Sequence, residues 1–341
     1  MIFFGDMAVG TKVKVQIPDI MKDKTHIVNL EGALVSDVNA HIKYRRVVNN
    51  LDYISEYVDT YGKVVFSLCN NHILDNNDIN ETMTNLDSIG VDYFGAGNNI
   101  ESASKPLVIG DVIVLTFGWS VIECDLAGDN IPGVNPLKRD YILSEFSKYS
   151  FKYPGRKIII LFHWDYELEK YPMPSQRKLA HELIDLGCEC IVGAHSHRVQ
   201  GVEIYKGKAI VYSLGNWAFE QGFFISGRLK FPDFCNLQLA FEYSEDGNHL
   251  LHYFNYNRIA QTVNYLESNS IPFSKINEEH TPFNGMPFKD YDKWFINNRY
   301  HKKMIPIYFS EDGMLLLKAK DIINKLRTNF IKCLVNFKVK L

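Results

Sequence analysis

Short apolar runs alternate along the chain with stretches in which apolar residues return every three or four positions. The runs predict strands at 2–4, 26–30, 64–68, 93–95, 112–117, 158–162, 190–192 and 209–213. The helical spacing predicts helices over about 43–60, 78–89, 139–150 and 175–187. In the last of these Leu179, Leu183, Ile184 and Leu186 share one face, and Gly187 marks the stop. Three hairpins are expected: 106–108 with 112–115, 202–205 with 209–212 across Lys206-Gly207, and 237–243 with 249–256. Strands alternating with helices indicate an α/β architecture. After residue 257 the pattern weakens, and 270–310, rich in Asn, Pro and aromatic residues, reads as an irregular segment wrapping the core. Helical spacing returns at the end. Leu315, Ala319, Ile322, Leu326, Phe330, Leu334, Phe337 and Leu341 fall on one side, with Lys318, Lys325, Lys332 and Asn336 on the other. The expected organisation is a main domain over 1–257, a wrapping segment over 258–313 and a basic amphipathic helix over 314–341.

Charge sharpens that last division. The 341 residues carry a net charge of −3, yet 314–341 holds seven Lys or Arg against one acid, which leaves −9 on the first 313 residues. A basic amphipathic helix can lie on an anionic membrane surface or pack on the body with its charges solvated, and spacing alone serves both. The overall balance argues against a nucleic-acid binder. With 46% apolar and 23% charged residues the chain is globular and not disordered. No apolar stretch is long enough to span a bilayer. The start, MIFFGDMAVG, has no basic region followed by an apolar one, so a signal peptide is not expected. Six cysteines without a CxxC pair signal neither a disulfide framework nor a zinc ribbon, and reduced thiols fit a cytoplasmic location. The basic tail extends that expectation to peripheral contact with the inner membrane face.

The candidate chemistry lies where the apolar runs end. They close on Gly5-Asp6, Asn29-Leu30-Glu31-Gly32, Asn70-Asn71-His72, His163-Trp164, His195-Ser196-His197 and Gly215-Asn216. Taken singly, Asp6 suits a turn, Asn70 a cap and His163 an ordinary buried histidine. Together they place Asp, Glu, Asn and His at six strand ends, and in an open α/β sheet the carboxyl ends of the strands form the ligand crevice. Carboxylate oxygens, an amide oxygen and imidazoles are a divalent-metal donor set. The pair His195-x-His197 shares one face if the run stays extended, or fans apart toward two ions on a loop. Other chemistries lack support. GAGNN at 95–99 has neither the glycine spacing nor the Lys of a nucleotide phosphate loop, and no G-x-S-x-G offers a serine nucleophile.

In this order the pieces resemble the poly-γ-glutamate capsule-synthesis CapA family, a branch of the calcineurin-like metallophosphoesterase superfamily. The matching residues are Gly5-Asp6, Asn29–Gly32, Asn70–Asp75, Gly95–Gly97, His163-Trp164, Pro174–Gly187, Gly193–Gln200 and Tyr212–Asn216, over about residues 1–220. The resemblance implies a four-layer α/β/β/α metallophosphoesterase-like sandwich; the irregular C-terminal extension lies beyond its reach and rests on the weakened pattern after residue 257. It implies that Asp6 and His197 hold one metal, that Glu31 bridges, and that Asn71, His163 and His195 hold a second. His72 would stabilise an oxyanion or protonate a leaving group, and Asp75 would orient it. Asn70, Trp164 and Asn216 are candidate substrate-binding residues. The cofactor implied is one or two divalent ions, Mn, Zn or Fe. Two departures from the wider superfamily stand out: the usual Asp-x-His has Ala8 in place of its His, and the usual bridging Asp is Glu31.

The leading functional expectation is a metal-dependent hydrolase or transferase. A metal-activated water would attack an anionic phosphoester, small-molecule or polymer, in capsule, exopolysaccharide or poly-γ-glutamate biosynthesis. Two other readings remain open. One is a non-catalytic component of a polymer-synthesis assembly that binds anionic polymer in the same cleft. The other is a metal-dependent amide hydrolase, which the same donor set would serve.

Overall fold

Strand β1 (Ile2–Met7) is buried on both faces, and its side chains alternate between them. Phe3 joins an apolar cluster with Ile27, Val65, Val114, Ile159 and Val192. Ile2 and Phe4 join another with Tyr53, Ile54 and Tyr57. A strand with sheet on one side and helix on the other belongs to a layered sandwich. The computed structural model, which describes residues 1–41, 46–301 and 305–336, carries this through. Its principal strands continue in chain order as β2 (Lys14–Val15), β3 (His26–Leu30), β4 (Val64–Ser67), β5 (Asp92–Phe94), β6 (Leu107–Ile109), β7 (Val112–Gly118) and β8 (Lys157–His163), followed by β9 (Cys190–Ala194), β10 (Val199–Tyr205), β11 (Lys208–Leu214), β12 (Leu237–Glu242), β13 (Leu250–Asn257) and β14 (Thr262–Ser270). The longer helices are α1 (Leu51–Tyr61), α2 (Ile79–Ser88), α3 (Arg139–Lys152), α4 (Pro174–Asp185), α5 (Phe288–Asn298) and α6 (Met314–Asn336).

One sheet has the order β2-β14-β13-β12-β1-β3-β4-β5, the other β10-β11-β9-β8-β7-β6. Strands β1, β3, β4 and β5 run parallel in the first, and β7, β8, β9 and β11 run parallel in the second. The apolar cluster containing Phe3 takes residues from both sheets, which therefore stack face to face. Outside them, Tyr53, Ile54 and Tyr57 of α1 cover the first sheet. Ile142 and Phe146 of α3 join Leu179 and Leu183 of α4 against Ile113, Ile158 and Ile160. The result is the expected α/β/β/α sandwich, with the C-terminal ends of both parallel sets at one edge.

Local sequence explains the element ends. Asn50 caps α1 by accepting from the Tyr53 N–H, Asp78 caps α2 through Asn80 N–H, and Pro174 opens α4 at its first turn. Lys206 and Gly207 both have positive φ, 49° and 76°, the two-residue turn that joins β10 to β11. The helix expected over 43–60 starts only at Leu51, because Val48–Asn50 pairs as a short strand with Ala33–Val35. Residues 43–45 of that expectation lie outside the described residues, as do Phe337 and Leu341 of the tail. The segment expected to be irregular holds β14 and α5. β14 is mostly exposed and polar, and it forms by pairing with β13, so no apolar alternation announced it. α5 buries Tyr291 and Phe295 only, too few anchors to stand out as a helical stripe. The five cysteines with described side chains are buried and free, as expected. Among the described residues no helix is long and apolar enough to cross a membrane.

A buried charged network locks α4, the connection between β8 and β9, onto the second sheet. Arg177 of α4 donates to Glu203 of β10 through Nε (3.0 Å) and Nη2 (2.6 Å). Tyr212 of β11 donates to the same carboxylate at 2.6 Å, and His181 lies 3.1 Å from it. Arg177 Nη1 also donates to the Met286 carbonyl at 2.8 Å, tying down the segment before α5. Burial alone would raise the Glu203 pKa, but hydrogen bonds from His181 and Arg177 outweigh it and hold the carboxyl down at about 2. Glu203→Gln leaves a buried guanidinium without its counter-charge and is expected to cost about 3–5 kcal/mol. Because the folded pKa lies below the ordinary 4.5, the wild-type advantage is complete above pH 4.5 and is lost as pH falls toward 2. Thermal melts of both proteins across that range check the size and the direction.

Candidate metal centre

Both parallel sets deliver their polar ends to one cleft, and backbone geometry aims each side chain. β1 has a register shift between Phe4 and Asp6 where it pairs with β3. Gly5 lets the strand lie against the loop after β11, since a Cβ there would sit 1.9 Å from the Gly215 carbonyl oxygen. Asp6 N–H donates to the Gly215 carbonyl (3.0 Å) and Trp217 N–H donates to the Asp6 carbonyl (2.8 Å), which brings Asn216 beside Asp6. After β9 the chain turns through left-handed conformations at His195 (φ 94°) and His197 (φ 56°). Such strain in non-glycine residues persists where the surroundings hold it, and it fans the two imidazoles apart. Of the two geometries open from the sequence, the structure takes the loop.

The donor atoms form two groups. In the first, ligand atoms of Asp6, Glu31 and His197 lie within 4.8 Å of one another, all three residues buried. His197 Nδ1 is 3.5 Å from Asp6 Oδ2, and its Nε2 is 3.6 Å from Glu31 Oε1. In the second, His163 Nε2 is 2.8 Å from Asn71 Oδ1 and 3.1 Å from His195 Nδ1. The groups adjoin where His163 Nδ1 comes within 4.0 Å of Asp6 Oδ1. All six residues expected as metal ligands are therefore brought together. His72 stands at the cleft with its side chain 31% exposed, Nε2 3.9 Å from Glu31 and Nδ1 2.9 Å from Asp75.

The electrostatics identify what the cleft lacks in protein partners. Both carboxylate oxygens of Glu31 are buried and without a hydrogen-bond partner. An unpaired carboxylate in such a place is costly unless it binds a cation or takes up a proton. Burial, with the charges of Asp6, Glu167 and Asp75 behind it, pushes the Glu31 pKa well up. Burial pushes Asp6 up to about 7 despite its hydrogen bonds from Asn29 and the His195 N–H. Burial also drives His163 and His195 well below the ordinary imidazole range and His197 down to about 3. Neutral imidazoles do not neutralise the carboxylates, and neutral imidazole is the form that ligates a metal. Orphaned carboxylate oxygens, neutral nitrogens and an amide oxygen fit a divalent cation. His72 differs. Burial opposes its charge, but Asp75 outweighs burial and raises its pKa.

The residues expected to bind substrate have other contacts here. Asn216 Oδ1 pairs with His197 Nδ1 at 2.9 Å, which directs Nε2 of that ring toward Glu31. Asn70 accepts from Gly32 N–H (3.2 Å) and His72 N–H (3.1 Å) and donates to the Leu30 carbonyl (2.8 Å), so it fixes the turn that carries Glu31. Trp164 is a correction. Its ring is buried, stacked on Phe162 at 4.4 Å, and its N–H donates to the Tyr212 carbonyl, so it is core and not a cleft wall. Three supporting residues went unassigned in the sequence. Asn29 donates to Asp6 at 2.7 Å, Asn49 ties Val9 N–H to the Glu31 carbonyl, and Glu220 accepts from the N–H groups of Gly10 and Thr11. Only Asn29 had a signal, its place inside the Asn29–Gly32 run.

Comparison with known proteins places the chain in a family. The family model described as bacterial capsule synthesis protein PGA_cap matches residues 12–221, more than half of the chain. The chain belongs to that family. It is 31% identical over 169 residues to the capsule biosynthesis protein CapA of Bacillus anthracis, an alignment covering 47% of this chain and 41% of that one. It is 30% identical over 165 residues to the PGA biosynthesis protein CapA of Bacillus subtilis strain 168, covering 46% and 43%. The chain thus spans less than half the length of these curated relatives.

The cleft is expected to bind Mn2+ or Zn2+ in calorimetric titration of the purified chain, and to melt at higher temperature when loaded. Glu31→Gln is expected to abolish the binding. Asn216→Ala, which removes only the partner of His197, is expected to weaken it about 10–100-fold. Because a metal would compete with protons for Glu31 and Asp6, whose carboxyls burial raises, Asp6 to about 7, affinity is expected to fall as pH drops through 7. Unchanged affinity between neutral and acidic pH would contradict this donor set.

Proposed function

We propose that this chain is a metal-dependent hydrolase or transferase that acts on an anionic phosphoester in the biosynthesis of a capsular polymer of the poly-γ-glutamate or exopolysaccharide kind. Family membership supports the pathway, and the names of the Bacillus relatives support the polymer. One observation carries the chemistry: two buried, unpartnered carboxylate oxygens of Glu31 face His197 and a half-exposed His72.

Asp6, Glu31 and His197 would hold one ion, and Asn71, His163 and His195 a second, with Mn, Zn or Fe as the candidates. A divalent ion so held supplies Lewis acidity and a water acidic enough to react near neutral pH. The chain's own residues supply the rest. The Asp75 carboxylate accepts from His72 Nδ1–H at 2.9 Å and fixes which ring nitrogen faces the cleft. His72 Nε2 then points toward Glu31 and can give a proton to a departing oxygen. Asp75 also accepts from Val47 N–H, so the carboxylate that aims His72 is itself held from a second side. Asn216 and Asn29 keep His197 and Asp6 in their working orientations.

A non-catalytic role in polymer assembly has one observation in its favour. Ala8, where the wider superfamily places a His, is buried in an apolar cluster with Phe219, Phe224 and Phe231, so the first group has one imidazole only. The discriminating experiment is turnover by the metal-loaded chain on aryl phosphomonoesters, aryl phosphodiesters and a γ-glutamyl amide. Phosphoester turnover is expected. His72→Gln is expected to keep its metal and lose about 10²–10⁴-fold in kcat. A loaded protein inert on all three would overturn the catalytic reading in favour of binding, and turnover of the amide alone would reassign the reaction.

A further inference from the structure

Helix α6 is turned the opposite way from a helix that packs for burial. Its inward face is largely polar. Asn324, buried, donates to the hydroxyls of Tyr166 (2.8 Å) and Tyr308 (2.9 Å), and Tyr308 donates to Asp321 at 2.8 Å. Lys320 donates to the Ile307 carbonyl at 2.6 Å and pairs with Asp312. Leu317 packs against the core from this side. The helix's apolar stripe faces outward: Leu315 is 85% exposed, Ile322 60%, Leu326 63% and Phe330 64%. Lys318, Lys325 and Arg327 flank the stripe and are exposed as well.

From this arrangement we infer that α6 docks the protein on an anionic lipid surface, with Leu315, Ile322, Leu326 and Phe330 entering the interface and the flanking Lys and Arg meeting the headgroups. Charge selects the occupant. The segment 314–341 carries +6 and the rest of the chain −9, so an anionic surface attracts this helix while repelling the body. A second copy meeting this face about a two-fold axis would set the same basic margins against each other. The site of docking also has a consequence. Tyr166 follows β8 and Trp119 follows β7, the strand ends that border the metal cleft, and both rings pack within 6 Å of each other beneath α6. A chain held by α6 therefore keeps the cleft edge near the lipid, where a polymer growing at the membrane would be met. That last step rests on the proposed function; the lipid contact does not.

The test is flotation of the full chain with phosphatidylcholine vesicles that contain, or lack, phosphatidylglycerol, at low and high salt. Flotation with the anionic vesicles, lost at high salt and absent with neutral ones, is expected. Both Leu326→Glu and the pair Lys318→Glu with Lys325→Glu are expected to lower the affinity roughly tenfold or more while metal content and melting temperature stay unchanged. These side chains face solvent, so the fold does not depend on them. Failure of the wild type to float with anionic vesicles would overturn the inference. So would a concentration-dependent dimer that Leu326→Glu dissociates without changing flotation, which would make a second copy the occupant. Neither outcome bears on whether the loaded cleft turns over a phosphoester.

Discussion

Two buried carboxylates without a cationic side chain between them are the constraint on which the cleft is organised. Glu31 has no hydrogen-bond donor at either oxygen, and Asp6 lies across His197 from it. In a low-dielectric setting, like charges this close raise each other's pKa and favour proton uptake or cation capture. The imidazoles around them cannot help in charged form, because burial holds three of the four neutral. Only His72, at the open side and paired with Asp75, is pushed the other way. The fold therefore separates two kinds of histidine by depth: rings kept neutral by burial below and a ring whose pKa is raised above.

Holding that arrangement takes a shell of amides and backbone strain. Asn29, Asn49, Asn70 and Asn216 each join a ligand-bearing segment to another strand end, and none carries charge. Neutral amides orient the carboxylates and imidazoles without satisfying Glu31, so the appetite for a cation remains. A Lys or Arg in any of these places would neutralise the site internally. The left-handed turns at His195 and His197 serve the same end, since an extended run would direct both rings to one face.

The layers and the site were legible in the sequence for a common reason. Parallel strands buried on both faces read as apolar runs, and the polar residue ending each run marks the sheet edge, so Asp6, Glu31, Asn71, His163, His195 and His197 stood out together. What was illegible depends on pairing rather than pattern. β14 is an exposed edge-side strand held by β13, and α5 is anchored by two aromatic residues. Trp164 illustrates a different limit: its place after His163 suggested the cleft, but Gly193 opens a space in the neighbouring strand, and the indole N–H finds the Tyr212 carbonyl through it. Asn49 and Glu220 gave no signal because their partners, mostly backbone groups, lie 18 to 210 residues away. The tail showed its amphipathic stripe in the sequence but not its direction, which the hydrogen bonds of Asn324 decide.

The two donor groups are unequal in charge, and under the proposed function that inequality would link the metal to the substrate. The first offers two carboxylates and one imidazole; the second offers an amide oxygen and two imidazoles, all neutral. Two carboxylates balance one divalent ion. A second ion beside neutral ligands would add positive charge to the cleft, where Asp75 is already engaged with His72 and burial raises the pKa of the neighbouring Glu167. Under the proposed function an anionic substrate would supply the missing charge. Under the proposed reading, Ala8 adds to this dependence, since the first group lacks a second imidazole and leans on Glu31. Under the same reading, charge balance among this chain's own residues argues for an anionic group such as a phosphoester, independently of what its relatives are named for.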